Sequence, residues 1–304
     1  MAKMKNKDEA SILTKRTGGE KVLFSVVFVI FCLYCICMLY PLLYLFISSF
    51  KGLLEYNDII LGGNPFALPQ KWLAGNYLEA IKMSVQNSEG EEIYLYTMFF
   101  NSLWYCLFVV GGQVLMSCFT GYIMAKYQFK VKELIFALAI FSMTIPIVGS
   151  MASGLKLAHT LGLYNTPFLT LFSSLSGFGF NFMVMYGYFK NISWSYAEAV
   201  FLDGGDDFTA FFKVMLPQAK MAIVTISIVS FITAWNMYED PLVYLPDYPT
   251  MAAGLYRLQK TVTRTGDMPK YFAGIMVSII PVIAIYSGFS GVIMKNFSVG
   301  GLKG

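Results

Sequence analysis

The residues best equipped for chemistry lie in one short stretch, "SYAEAVFLDGGDDFTAFFKVMLP" at 195 to 217, where Glu198, Asp203, Asp206 and Asp207 gather around a Gly-Gly pair. Clustered carboxylates serve as acid–base pairs or metal ligands when His, Cys or further acids join them. Here nothing joins them. The single histidine, His159, is remote in sequence, and a zinc site would be short of its usual ligands. Cys32, Cys35 and Cys37 form a Cys-x-x-Cys-x-Cys run, a second metal-like pattern, but they sit inside an apolar stretch, as do Cys106 and Cys118. These thiols are read as packing groups against lipid or a neighbouring helix, without a disulfide framework. No metal is expected, and with no nucleophile–base pair an integral-membrane enzyme is disfavoured.

The elements that must position the acidic segment are membrane helices. Of the 304 residues, 57% are hydrophobic, 17% aromatic and only 13% charged, against about 25% charged in a soluble domain. A net charge of +4, dispersed along the chain, excludes a nucleic-acid partner. Apolar stretches long enough to span lie near 22–48, 97–125, 134–155, 167–189, 219–245 and 271–294, so an all-α membrane protein of six transmembrane helices is expected. Pro146 is expected to kink the third, and Glu239, Asp240 and Pro241 to interrupt the end of the fifth. The first apolar run has no small-residue cleavage site and reads as a retained anchor. The expected organisation is a tail at 1–21, a first span at 22–50, an outer loop at 51–96, a core of five spans at 97–295 and a tail at 296–304. No internal repeat or broken helix is visible that would mark a self-sufficient secondary transporter.

Most of the 22 basic residues fall before span 1, between spans 2 and 3, between spans 4 and 5, and after span 6. The positive-inside rule therefore places both termini and the acidic segment in the cytoplasm, although Arg257, Lys260, Arg264 and Lys270 run against it locally.

Within the acidic segment, Ser195 and Glu198 have the spacing of a capping box, which starts a helix. Asp203-Gly204-Gly205 ends it in a turn. Asp206 and Asp207 favour the start of a second helix, in which Phe208, Phe211, Phe212 and Met215 make one apolar stripe up to Pro217. Two short helices around a sharp turn make a knob suited to a socket on a soluble partner.

"EAVFLDGG", followed by "MLP", resembles the cytoplasmic loop of permease subunits of binding-protein-dependent ABC importers, whose pattern is Glu-Ala-Ala, three residues, then Asp-Gly-Ala. Glu198, Ala199, Asp203 and Gly204 match by position, while Val200 and Gly205 replace alanines. "YPLLYLFISSFK", "NYLEAI", "FFNSLWYC", "GYIMAKYQFK", "LGLYNT" and "ITAWNMYEDPLVYL" are similar to landmarks of the carbohydrate branch, in the same order. The C-terminal Gly300, Gly301, Lys303 and Gly304 resemble the tail of the smaller six-helix permease subunit of maltose-type transporters.

The resemblance implies a type I importer permease fold with a coupling helix between spans 4 and 5, in a prokaryotic plasma or inner membrane. It implies a non-catalytic subunit that forms half of a sugar path with a second permease subunit and an extracytoplasmic solute-binding protein. The coupling residues would be Glu198, Ala199, Val200, Asp203, Gly204 and Gly205, and Gly300, Gly301 and Lys303 would also reach the ATPase dimer. ATP and Mg would bind that ATPase, since this chain has no Gly-x-x-x-x-Gly-Lys-Ser/Thr stretch and is expected to hold no cofactor. Trp235, Asn236, Tyr238 and Glu239, with Asp240, are the expected path residues, because polar groups at membrane depth face a cavity or a partner. A different polar cargo, such as an amino acid or peptide, is the alternative.

Overall fold

A computed structural model describes residues 18–64, 66–145 and 149–299, apart from the side chains of 60, 264, 265 and 292–299. The first helix, α1 (Gly18–Ser49), is apolar around its whole circumference, and nearly all its side chains are exposed as it leans on the last helix, α14 (Met268–Val299). A helix with no polar face needs lipid or another apolar surface around it. The carbonyls just past its end are satisfied by Asn76, whose Nδ2 donates to the Ser49 oxygen at 2.8 Å and the Lys51 oxygen at 2.9 Å. Asn76 belongs to α3 (Gly75–Ile81), which follows α2 (Leu53–Ile60) in the segment after α1. The segment closes with a hairpin in which β1 (Ser84–Gln86) pairs antiparallel with β2 (Glu92–Tyr94).

The central element is α4 (Leu95–Lys126), 32 residues and so about 48 Å long. Three buried clusters share it. At one end Leu95, Met98 and Tyr105 pack with Trp235, Leu245, Met251 and Leu258. At the basic end Cys118 and Tyr122 pack with Met185, Phe189, Phe211, Met215 and Ile226, and Met124 meets Ala139 and Phe182 alongside. Small residues let its neighbours close in: a Cβ on Gly121 would stand 2.9 Å from the Met185 Cβ, and one on Gly112 2.2 Å from the Ser174 hydroxyl.

The expected third and fourth spans are not continuous helices. The third is α5 (Lys132–Thr144) and α6 (Ser150–Thr160), with Pro146 in the segment outside the described residues and Gly149 at the cap of α6 with φ +84°. The fourth is α7 (Pro167–Ser174) and α8 (Phe180–Asn191), separated at 175–179. Serines that bond back to the main chain and glycines, whose backbone loses most entropy in a helix, favour such a break, and Ser174 Oγ donates to the Leu171 oxygen at 2.7 Å and to the Phe108 oxygen of α4 at 3.0 Å. Thr120 of α4 donates to the Gly177 oxygen at 2.6 Å, satisfying a carbonyl in the break. Hydropathy hides the break at 175–179, so the expectation of an unbroken fourth span is corrected, while the kink expected at Pro146 of the third falls outside the described residues.

After α8 come α9 (Ser195–Leu202), α10 (Asp207–Gln218), α11 (Lys220–Asn236), α12 (Glu239–Tyr244) and α13 (Met251–Thr265). The expected interruption near Glu239 is present as the break between α11 and α12. Among the described residues, Gly18–Ser49, Leu95–Lys126 and Met268–Gly291 are long and apolar enough to cross a membrane, and α10 with α11, meeting at 73°, would make a fourth. The segment at 246–270 holds α13, whose Met251, Leu255, Leu258 and Val262 bury one face against the first cluster. Thr250 caps it by accepting from Ala253 N–H.

A polar knot ties this region together. Asp247 accepts from the Ser88 amide at 2.8 Å, from the Ser88 hydroxyl and from the Asn165 side-chain amide, while its own N–H donates to Asn165 Oδ1 at 3.2 Å. The Ser88 hydroxyl bond, joined by the others, holds the Asp247 carboxyl below the usual carboxylate range. A depressed carboxylate contributes stability above its unfolded value of about 3.9 and loses it as pH falls through the lower folded value. Asp247→Ala is expected to accelerate amide exchange at Ser88, corrected for intrinsic rate, at neutral pH. The native protein should show the same loosening only below about pH 4. Equal protection of Ser88 in the two proteins at pH 7 would remove the knot from this account.

Candidate functional site

The acidic segment forms two short helices around a turn at the basic end of the bundle, and each local feature has a cause. Helix α9 starts at Ser195, but not through the expected capping box: position 194 carries no side-chain cap, and Ser193 Oγ accepts from the Ser195 amide at 3.3 Å and lies 2.8 Å from the Ser195 hydroxyl. Ser193, two residues earlier, takes the Ser195 hydroxyl away from the role the spacing suggested. Glu198 remains exposed in the first turn, where the helix dipole favours its charge.

The turn satisfies the last carbonyls of α9 in a Schellman arrangement: Gly205 N–H donates to the Val200 oxygen at 2.8 Å and Gly204 N–H to the Phe201 oxygen at 3.0 Å. Gly204 has φ +81°, a conformation other residues resist. Gly205 is required by contact, since a Cβ there would stand 2.5 Å from Val200 Cγ1. Thus the two positions that depart from the Ala…Ala pattern touch each other, and the bulkier Val200 occupies the space left by the missing Cβ.

Asp206 then caps α10 as expected, its Oδ1 accepting from Thr209 N–H at 2.8 Å, and that hydrogen bonding lowers its carboxyl pKa. The apolar stripe is only half as expected. Phe211 and Met215 are buried, whereas Phe208 is 69% and Phe212 46% exposed. The physical reason is a π-helical stretch over Ala210–Met215, which widens the turn and rotates the register ahead of Pro217. Proline lacks the N–H of a regular helix and crowds the carbonyl four residues back, and a wider turn relieves that conflict.

The pair is clamped to the bundle. Tyr127, the residue after α4, donates its phenol to Asp207 Oδ1 at 2.5 Å, and its ring meets Trp194 and Tyr122 edge to face at 5.7 Å and 5.6 Å. Burial, reinforced by the Asp207 carboxylate, raises the Tyr127 pKa far above the usual phenol value. Lys126 Nζ donates to the Ile192 oxygen, and Tyr188 Oη to the Gln218 oxygen at 2.8 Å. Phe211 stacks on Phe119 at 4.8 Å. Outward, the pair presents Tyr196, Ala199, Leu202 and Phe208, with Leu202 89% exposed. Asp203 and Gly204 are exposed beside them.

The other expected site residues lie elsewhere. Trp235 is buried, donates Nε1 to the Ser278 oxygen at 3.0 Å and stacks on Phe231, so it fastens α11 to α14. Asn236 Nδ2 bonds back to the Ile232 oxygen, Tyr238 stacks on Tyr256 at 5.0 Å, and Glu239 is exposed. Trp235, Asn236 and Tyr238 line a cavity of 270 Å³ with Tyr256 and Gln259; Glu239 does not line it, and Asp240 lines a separate, mainly apolar cavity of 600 Å³. Gly300, Gly301, Lys303 and Gly304 lie outside the described residues. Among the described residues no three His, Cys, Asp or Glu side chains are grouped to hold a metal ion, and His159 stacks on Tyr164 at 4.0 Å. The Tyr127–Asp207 link escaped sequence reasoning because its partners stand 80 positions apart.

The family model for the binding-protein-dependent transport system inner membrane component matches residues 117–298. The chain is 26% identical over 271 residues to the diacetylchitobiose uptake system permease protein NgcG of Streptomyces coelicolor, covering 88% of this chain and 85% of that one. It is 30% identical over 223 residues to the arabinooligosaccharides transport system permease protein AraQ of Bacillus subtilis, covering 71% and 76%. Its fold is similar to a chain of a bacterial ABC transporter involved in the import of the acidic polysaccharide alginate, with TM-score 0.74, 24% identity and coverage of 91% and 98%.

The contact between Val200 and Gly205 makes a testable prediction. Gly205→Ala should destabilise the purified protein by about 1–3 kcal/mol through overpacking, read as a lower unfolding temperature in detergent. Adding Val200→Ala should recover about half or more of that loss, the non-additivity expected of touching residues. Strictly additive effects would show that the two positions do not compensate.

Proposed function

We propose, from the premise that the chain belongs to the binding-protein-dependent transport system inner membrane components, that it is the permease subunit of an ATP-driven importer of a sugar or oligosaccharide. Relatives named for diacetylchitobiose, arabinooligosaccharides and galactooligosaccharides support the carbohydrate cargo. The chain crosses the membrane six times, the third and fourth crossings each built from two short helices. Both termini and the helix pair at 195–218 face the cytoplasm, as the distribution of Lys and Arg favours. Half of the path is this subunit's, with a second permease subunit supplying the other half, and Trp235, Asn236, Tyr238 and Glu239 lie towards its outer end.

The observation that carries the mechanism is the construction of the helix pair: rigid where it meets the bundle, apolar and exposed where it faces outward. Closure of a partner ATPase dimer around ATP and Mg moves the pair as one body, with Glu198, Ala199, Val200, Asp203, Gly204 and Gly205 forming the docked end. Gly300, Gly301 and Lys303 of the tail add a second contact. Because α10 is fastened to the end of α4 by Asp207 and continues into α11 after a 73° bend, displacement of the knob tilts both helices. Alternating access follows from that tilt, with solute delivered from an extracytoplasmic binding protein.

Leu202→Asp removes the most exposed apolar residue of the knob, and buried contacts of this kind dominate docking. The variant should reach the membrane in normal amounts yet co-purify about tenfold less ATPase. Gly204→Pro, which cannot adopt the positive φ or donate to Phe201, should leave the protein in the membrane but abolish solute-stimulated ATP hydrolysis. Normal stimulation in the reconstituted Gly204→Pro complex would reject this role for the turn.

A further inference from the structure

A third cavity, of 250 Å³, lies between α4, α8 and α11 at the break in the fourth span. Its polar lining comes from three helices and the break: Gln113 and Ser117 of α4, Asn181 of α8, Ser230 and Thr233 of α11, and Ser176. Depth can be read from each helix separately. Gln113 stands thirteen residues from Lys126, Asn181 ten from Asn191, and Ser230 ten from Lys220. At 1.5 Å per residue these are about 20, 15 and 15 Å from the basic ends of their helices. In a hydrocarbon core about 30 Å thick, that is near the middle.

Amides at that depth are costly unless they find partners. Asn181 Nδ2 donates to Ser230 Oγ at 2.8 Å, but its Oδ1 and the whole Gln113 side-chain amide have no hydrogen-bond partner among the described residues. Irregular backbone is tolerated inside a membrane only where protein or a water-filled cavity covers it, and the break at 175–179 borders this cavity. Phe178 and Phe180 stand beside the amides, 41% and 58% exposed. Paired hydrogen-bonding amides and open aromatic faces suit a pyranose ring, whose rim is hydroxyl and whose faces are C–H. None of the lining residues is ionisable.

We infer that this cavity is a midmembrane subsite at which the subunit itself holds one neutral glycosyl unit of the passing solute, through Gln113 and Asn181 and the faces of Phe178 and Phe180. The inference rests on the importer reading above. It also separates this chain's cargo chemistry from that of an acidic polysaccharide, which would want cations here.

The test uses the importer complex purified with its binding protein from the native membrane and reconstituted in vesicles. Uptake of labelled diacetylchitobiose, arabinotriose, galactobiose and an oligouronate is measured first. A neutral saccharide should be transported, and Gln113→Leu and Asn181→Leu should each raise its half-saturation concentration about tenfold, more than they lower the maximal rate. Independently of those substitutions, Ser117→Cys, in a background with the five native cysteines replaced by serine, should react with a water-soluble methanethiosulfonate. The transported saccharide should slow that reaction several-fold. Transport of a neutral saccharide with unchanged half-saturation in both leucine variants and no protection of Ser117→Cys would overturn the subsite and leave the importer reading intact. Transport of the oligouronate alone would overturn the neutral assignment. Transport of none of the four would overturn the sugar reading itself, and the subsite with it.

Discussion

The hydrogen bond from the Tyr127 phenol to the Asp207 carboxylate is the interaction on which the mechanical reading depends. It joins the end of the longest buried helix to the start of α10, and the rings of Tyr122 and Trp194 enclose it. A charge-assisted bond of this kind is shorter and stronger than one between neutral groups. Beneath it, Phe211 and Met215 seat the π-helical stretch among Phe119, Tyr122 and Phe189. A knob joined by flexible contacts would absorb a push. One fixed by a charged bond and a packed aromatic floor transmits it.

The same helix α4 makes the rest of the bundle possible. Two of the expected crossings are built from interrupted helices, and interrupted backbone inside a membrane would need internal partners. Thr120 and the Phe108 carbonyl, both on α4, meet the break of the fourth crossing, and Gly112 and Gly121 let that crossing come close enough. In the proposed mechanism α4, which would receive the motion of the knob, also borders the polar cavity between α4, α8 and α11. Tilting α4 against α8 and α11 changes the shape of that cavity directly, which links the two ends of the proposed transport cycle through one rigid body.

Much of this was legible in the sequence wherever the cause is local. The extent of α9, the Gly204 turn and the Asp206 cap follow from residues within ten positions of one another. What failed did so for physical reasons. Ser195 lost its capping role to Ser193, an equally good acceptor. The π-helical register hid half of the aromatic stripe, because a pattern read at 3.6 residues per turn does not apply there. The break at 175–179 sits in a run whose hydropathy is uniformly high, and hydropathy reports solvent preference rather than backbone continuity. Trp235, expected as a path residue, lines the 270 Å³ cavity and also fastens α11 to the Ser278 carbonyl, a second role that only the fold reveals, since an indole N–H in an apolar setting takes the nearest acceptor. Gln113 and Asn181 drew no attention as isolated amides; only the fold brings them together.

The most direct test of the central claim is to place a photoreactive benzoylphenylalanine at Ala199, on the outward face of α9, irradiate cells, and identify the cross-linked partner by mass spectrometry. The account predicts a soluble protein carrying a Gly-x-x-x-x-Gly-Lys-Ser/Thr nucleotide-binding sequence, captured more strongly when ATP hydrolysis is blocked. Cross-links confined to lipid or to this chain's own residues, in cells where the importer is active, would contradict it.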